Sequence, residues 1–138
     1  MLDTHVLAWA LIDPAAMPPT PARLVAGSTE LLVSAASGWE LAIKYELGRW
    51  PEAGKLLSLW TEALTAAGIH EVPITAAHGR LAAAMPSPHR DPFDRMIVAQ
   101  SVLLGASLAT VDRAILDAFP EILSTRSHTS PGTTYDLF

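Results

Sequence analysis

The sequence predicts an α/β domain built on a central, mostly parallel sheet of four to five strands. Two observations carry the prediction. Helical stretches end on glycine at Gly48, Gly68 and Gly105, and lead from there into an apolar strand or a turn. That rhythm implies right-handed βαβ crossovers and parallel strands. The run Leu31-Leu32-Val33 is continuous and not alternating, which suits a strand covered on both faces.

The elements follow in order. Met1 and Leu2 are the stub of a first strand, and His5 to Ile12 reads as a short apolar helix stopped by Asp13-Pro14. Four prolines between Pro14 and Pro21 mark a loop, from which Thr20-Pro21 opens another short helix through Ala26. Glu30 to Ala36 is the second strand. A helix from Ser37 to Leu47 follows it, with Gly48 as its C-terminal cap. Leu56 to Ala67 is a long helical pattern ending at Gly68, Ile69 to Ile74 the next strand, and Ala76 to Met85 a helix stopped by Pro86-Ser87-Pro88. Asp91-Pro92 starts a helix that runs to Leu104, since aspartate accepts orphan backbone N–H groups and proline is tolerated at the first helical position. Ala106 to Val111 is a further strand and Leu123 to His128 an edge strand, while residues 129–138 carry no readable pattern.

The 138 residues fit one domain, 1–138, and 50% hydrophobic with 17% charged residues is a globular composition. No apolar run approaches the roughly 18 residues that span a bilayer, and the N-terminal residues lack the order of a signal peptide, so no membrane association and a cytoplasmic location are expected. The chain has no cysteine, which removes disulfides and thiolate metal sites. A net charge of -5 argues against a non-specific nucleic-acid coat. It leaves room for a nucleic-acid enzyme whose acids hold a cation.

In an open parallel sheet, ligands collect beyond the carboxyl ends of the strands. Asp3 and Asp112 directly follow strands, while Glu40 and Asp94 are placed in the first turns of helices. All four are therefore expected at one edge. Each also has an ordinary role open to it: Ser37-Gly38-Trp39-Glu40 matches a capping box, Lys44 is spaced for a helical ion pair with Glu40, and Asp91 caps its helix. Together, four carboxylates at a partly buried edge repel one another unless something neutralises them. A hard divalent cation does so, and metal-assisted phosphodiester hydrolysis is the chemistry that follows.

Leu2 to Leu11, Val33 to Lys44, His89 to Gln100 and Leu108 to Asp112 resemble, in order, the motifs of PIN-domain ribonucleases, specifically VapC-type toxins of bacterial type II toxin–antitoxin pairs. The resemblance implies a three-layer α/β/α fold and an endoribonuclease that hydrolyses RNA with Mg2+ or Mn2+. It implies Asp3 and Asp94 as direct metal ligands, Glu40 and Asp112 as the rest of the acidic cluster, and Thr4 and Thr110 as support. It also implies a cognate VapB-like antitoxin and a homodimer. Trp9 and Trp39 are the candidate antitoxin groove. Only Met1 and Leu2 precede Asp3, fewer than in relatives, so the first strand is short or the chain starts upstream. Rival expectations are a PIN-like nuclease of RNA maturation or repair, and a non-catalytic binding module of the same fold.

Arg90, Arg95, Arg113 and Lys44 fall near the acids in this layout and are candidates for RNA phosphate contacts. Of the five histidines only His89 is expected beside the site.

Overall fold

Leu2, the second residue of the chain, is the hub of the strand pairing. In the computed structural model, which describes residues 1–86 and 89–120, it forms parallel bridges to Val33 on one side and Ala109 on the other. Its N–H donates to the Leu32 carbonyl at 2.8 Å, and Ala109 N–H donates back to Met1 O at 2.8 Å. β1 (Leu31–Ser34) then pairs in parallel with β2 (Ile69–Val72), from Leu31 opposite Ile69 to Ser34 opposite Val72. The lateral order is therefore Ala109, Leu2, β1, β2, all running the same way.

The parallel α/β arrangement is as expected, but the strand number is not. Two extended strands are present among the described residues, where four to five were expected. Met1–Leu2 does not extend beyond Leu2 along the sheet because Asp3 already caps a helix, its Oδ1 accepting from Val6 N at 2.7 Å. The 106–111 stretch is cut short at its far end, where Thr110 Oγ1 accepts from Asp112 N and turns the chain into the next helix. The expected edge strand Leu123 to His128 and the 129–138 tail lie outside the described residues.

The helices are α1 (Thr4–Leu11), α2 (Pro19–Gly27), α3 (Ala35–Glu46), α4 (Ala53–Ser58), α5 (Trp60–Ala67), α6 (Ala76–Ala84), α7 (Pro92–Leu104) and α8 (Arg113–Ala118), with a 3-10 turn at Pro14–Ala16. The long pattern expected from Leu56 to Ala67 breaks at Leu59. There Ser58 Oγ donates to the Lys55 carbonyl and Leu59 N to Leu56 O, pulling the chain into a tighter turn. α2 begins at Pro19, one residue before the expected Thr20.

Successive β1 side chains point to opposite faces of a strand, and they reach different cores. Leu31 and Val33 join Leu2, Val6, Leu7, Leu41, Leu56, Leu64 and Ile69. Leu32 packs instead on Met1, Val72, Ile97, Val98, Leu108, Ile115 and Phe119. Thus α1, α3, α4 and α5 cover one face, and α7 and α8 the other. Gln100 of α7 ties the second layer to its neighbours, its buried Nε2 lying 3.3 Å from Pro73 O and 3.3 Å from His78 Nδ1.

Candidate active site

Every strand or bridging residue hands over to a helix at the same sheet edge, and the acids gather there. Asp3 is the N-cap of α1, Asp112 of α8 and Asp91 of α7, with Asp94 one turn into α7. A carboxylate at a helix N-terminus accepts N–H groups that have no intrahelical partner and sits at the positive end of the helix dipole. Asp3, Glu40, Asp94 and Asp112, from four different helices or their caps, line one pocket of about 130 Å3, joined by Thr4, His5, Lys44 and Asp91.

Glu40 arrives by a different route from the one expected. α3 starts at Ala35 because Ser34, at the end of β1, caps it by accepting from Ala36 N at 3.0 Å. Ser37 is therefore buried inside the helix, and no Ser37–Glu40 capping box forms. Glu40 lies in the second turn, where the Thr4 hydroxyl donates to Oε2 at 2.6 Å and Lys44 Nζ pairs with Oε1 at 2.6 Å. The same Thr4 hydroxyl lies 3.0 Å from that of Ser37, so α1 and α3 are stitched together directly beneath the acids. Ser37 escaped the sequence reading because its spacing to Glu40 imitates a cap.

Asp3 is 4% exposed. Burial pushes its carboxyl above the usual range and the negative charge of Asp112 adds to this, while hydrogen bonds from Thr110 and the Val6 N–H and the nearby His5 oppose it. Thr110 lends its oxygen to the Asp112 backbone and its hydroxyl to Asp3. Asp94 is pushed up to about 6, chiefly by burial and further by Asp91 and Asp112, against the pull of His89. His89 Nε2 lies 2.8 Å from Asp94 Oδ2. His5, on the first turn of α1, also lines the pocket, which corrects the expectation that His89 alone would stand beside it. Its place two residues after Asp3, at a helix start, was the available signal.

The cations divide. Arg90 and Arg113 are exposed beside Asp91 and Asp112 in the chain and are not among the described residues lining the pocket. Arg95 is committed elsewhere: Nε donates to Ala82 O at 2.7 Å, Nη1 to His89 O at 2.8 Å and Nη2 to Met85 O at 2.7 Å. A guanidinium whose fork is directed at backbone carbonyls is a clamp on the α6–α7 connection, which corrects the expectation of a phosphate contact. The two tryptophans have different neighbours. Trp9 packs against the α1 side of the core near His5, whereas Trp39 is 63% exposed and meets Phe93 edge-on with ring centroids 5.0 Å apart.

Asp91 accepts from Phe93 N at 2.9 Å and Asp94 N at 3.2 Å. Asp91→Ala is accordingly expected to lose about 1 kcal/mol in thermal or urea unfolding, the usual cost of a deleted N-cap.

Among the described residues, no three His, Asp or Glu side chains form a ready-made metal cage. The pocket nevertheless fits a hard cation. Its donors are carboxylate oxygens, and two of them, Asp3 and Asp94, are desolvated and held near other negative charges, an arrangement that a divalent ion relieves. Mg2+ needs only one or two direct carboxylates and keeps much of its water, so a preformed cage is not required.

Residues 1–120 match the family described as PIN domain. Ribonuclease VapC22 of Mycobacterium tuberculosis (strain ATCC 25618 / H37Rv) is 34% identical over 116 residues, covering 83% of this chain and 88% of that relative. With the match spanning both the strand hub at Leu2 and the acids up to Asp112, the chain belongs to the PIN-domain family and is of the VapC type.

Proposed function

We propose that the protein is the toxin of a type II toxin–antitoxin pair, an endoribonuclease that hydrolyses RNA phosphodiester bonds with Mg2+ or Mn2+ and is inhibited by a cognate VapB-like antitoxin. The convergence of Asp3, Glu40, Asp94 and Asp112 on one pocket carries this reading, and the similarity to a VapC ribonuclease supports it. Asp3 and Asp94 hold the cation directly. Glu40 and Asp112 complete the acidic wall, with Thr4, Thr110 and the Asp91 cap fixing the side chains. The cation, when bound, supplies Lewis acidity that activates water and offsets charge at phosphorus. Arg90 and Arg113, exposed and next to Asp91 and Asp112 in the chain, receive flanking phosphates.

The binding-module reading is disfavoured by the cost of the pocket. Raised carboxyls at Asp3 and Asp94 show that burying these acids opposes folding at neutral pH, and a pure binder gains nothing from them. For the antitoxin, the groove lined by Leu11, Ile12, Leu56, Leu59 and Ala63, with Glu52 and Lys55 also in its lining, is a second candidate beside Trp9 and Trp39 for an amphipathic helix. A homodimer is part of the same reading. No helix among the described residues is long and apolar enough to cross a membrane.

Cleavage-site mapping on total RNA, with Mg2+ and with chelator, tests the proposal. Discrete cuts that need the cation are expected. A folded protein that leaves RNA intact in Mg2+ and in Mn2+ would contradict it, and cuts made only in a precursor RNA would favour the maturation alternative.

A further inference from the structure

Lys44 carries the only fixed positive charge among the described residues lining the acidic pocket. As a Glu40–Lys44 pair four residues apart on α3 it resembles an ordinary surface ion pair, which contributes little. Its surroundings are not those of a surface pair. Its side chain is 31% exposed and that of Glu40 12%. The ammonium stands 5.6 Å from the centroid of the Trp50 ring, and Trp50 in turn lies 5.2 Å from the ring of His5, another lining residue. The chain is folded back to make this seat. Gly48 adopts φ +66, and both Arg49 N and Trp50 N donate to the Lys44 carbonyl, at 2.8 and 3.2 Å. Glu40 cannot swing away with its partner, because its other oxygen is held by Thr4 on α1. The ammonium is thus held by an anchored carboxylate and an aromatic face, at the wall of a pocket whose other lining residues are five acids, Thr4 and His5.

We propose that Lys44 is a catalytic residue: its ammonium binds a non-bridging oxygen of the scissile phosphodiester and offsets the charge that builds there during hydrolysis. This rests on the ribonuclease reading and assigns Glu40 a second task, that of aiming Lys44. Lysine is suited to it as a compact point charge. Pre-set donors facing developing charge need no reorganisation when the reaction occurs. Lys44 takes no part in proton transfer. Water adds to phosphorus and one bridging P–O bond breaks; one water proton ends on the departing hydroxyl, the other on the new terminal phosphate or in solvent, and the ammonium stays charged throughout.

The test compares wild type, Lys44→Met, Lys44→Gln and Lys44→Arg, each checked for folding by circular dichroism. Single-turnover cleavage of a short unpaired RNA of mixed sequence is measured at saturating Mg2+, and Mn2+ affinity is measured without RNA by calorimetry. Lys44→Met, or Lys44→Gln should the methionine variant not fold, is expected to slow cleavage about a hundredfold or more. Mn2+ affinity should stay level or rise, because a cation has left the pocket, and Lys44→Arg should recover much of the rate. Cleavage within about threefold of wild type in the neutral variants would overturn the assignment. So would a joint fall in rate and Mn2+ affinity without rescue by arginine, which would make Lys44 only a brace for Glu40. If wild type itself fails to cleave in Mg2+ and Mn2+, the ribonuclease reading falls and takes this role with it, a result distinct from a wild type that cleaves beside unaffected Lys44 variants.

Discussion

Asp94→Asn is expected to lower metal-dependent RNA cleavage by at least about a hundredfold and to leave the protein folded, since on the proposed reading it removes a direct ligand from a catalytic electrostatic site. The amide keeps the shape of the side chain and can still meet His89, while α7 keeps its Asp91 cap. What it removes is the charge. The Asp94 carboxyl stands at about 6, above the usual 3.8, mainly through burial. A raised acid contributes stability that is fully present below its unfolded value and lost as pH rises through its folded one. The cation-free protein therefore gains stability from Asp94 between pH 7 and pH 5, and Asp94→Asn should show a smaller gain across the same interval. Asp3, raised by burial as well, adds in the same direction. Cation binding runs the opposite way, since it needs the ionised carboxylate, and should weaken below about pH 6 by up to tenfold per pH unit from this group. Melting curves at pH 5 and 7, with and without Mn2+, read both signs. A wild type that melts equally at both pH values without metal would remove the electrostatic argument.

Arg95→Met is expected to cost about 3 kcal/mol in urea unfolding, because it strips charged donors from several partly buried carbonyls at once. The clamp joins Ala82 and Ala83 of α6 and Met85 to His89, and His89 meets Asp94. Its loss should loosen the α6–α7 connection and lower cleavage indirectly. The alternative, a phosphate contact, has a separate signature. It would leave stability intact and reduce the salt dependence of RNA binding by about one unit of slope.

The sheet edge was the most legible part of this chain. Asp3 and Asp112 could be placed because a strand end in a parallel sheet is a binding edge whatever the strand length, and Asp94 because Asp91-Pro92 fixes a helix start to the residue. Strand length was less legible. Apolar runs at 1–2 and 106–109 suit strands, but Asp3 and the Thr110–Asp112 turn draw the backbone into helices after single bridges. Glu40 was assigned to the right site through the wrong local motif: Ser34 and Ser37 can each cap a helix, and only the tertiary partner Thr4 decides that Ser37 goes inside. Arg95 could not be sorted from Arg90 and Arg113 by sequence, since all three follow or precede an acid. The carbonyls it satisfies, at the end of α6 and at His89, are brought to its guanidinium only by the packing of α6 on α7.

The central claim, that these acids hold a cation for hydrolysis, is tested most directly by calorimetric titration of Mn2+ into wild type, Asp3→Asn and Asp94→Asn at pH 7.5. Saturable binding to wild type is expected, weakened at least about tenfold in each variant while all three remain folded. No binding to the intact wild type, or equal binding to all three, would contradict it.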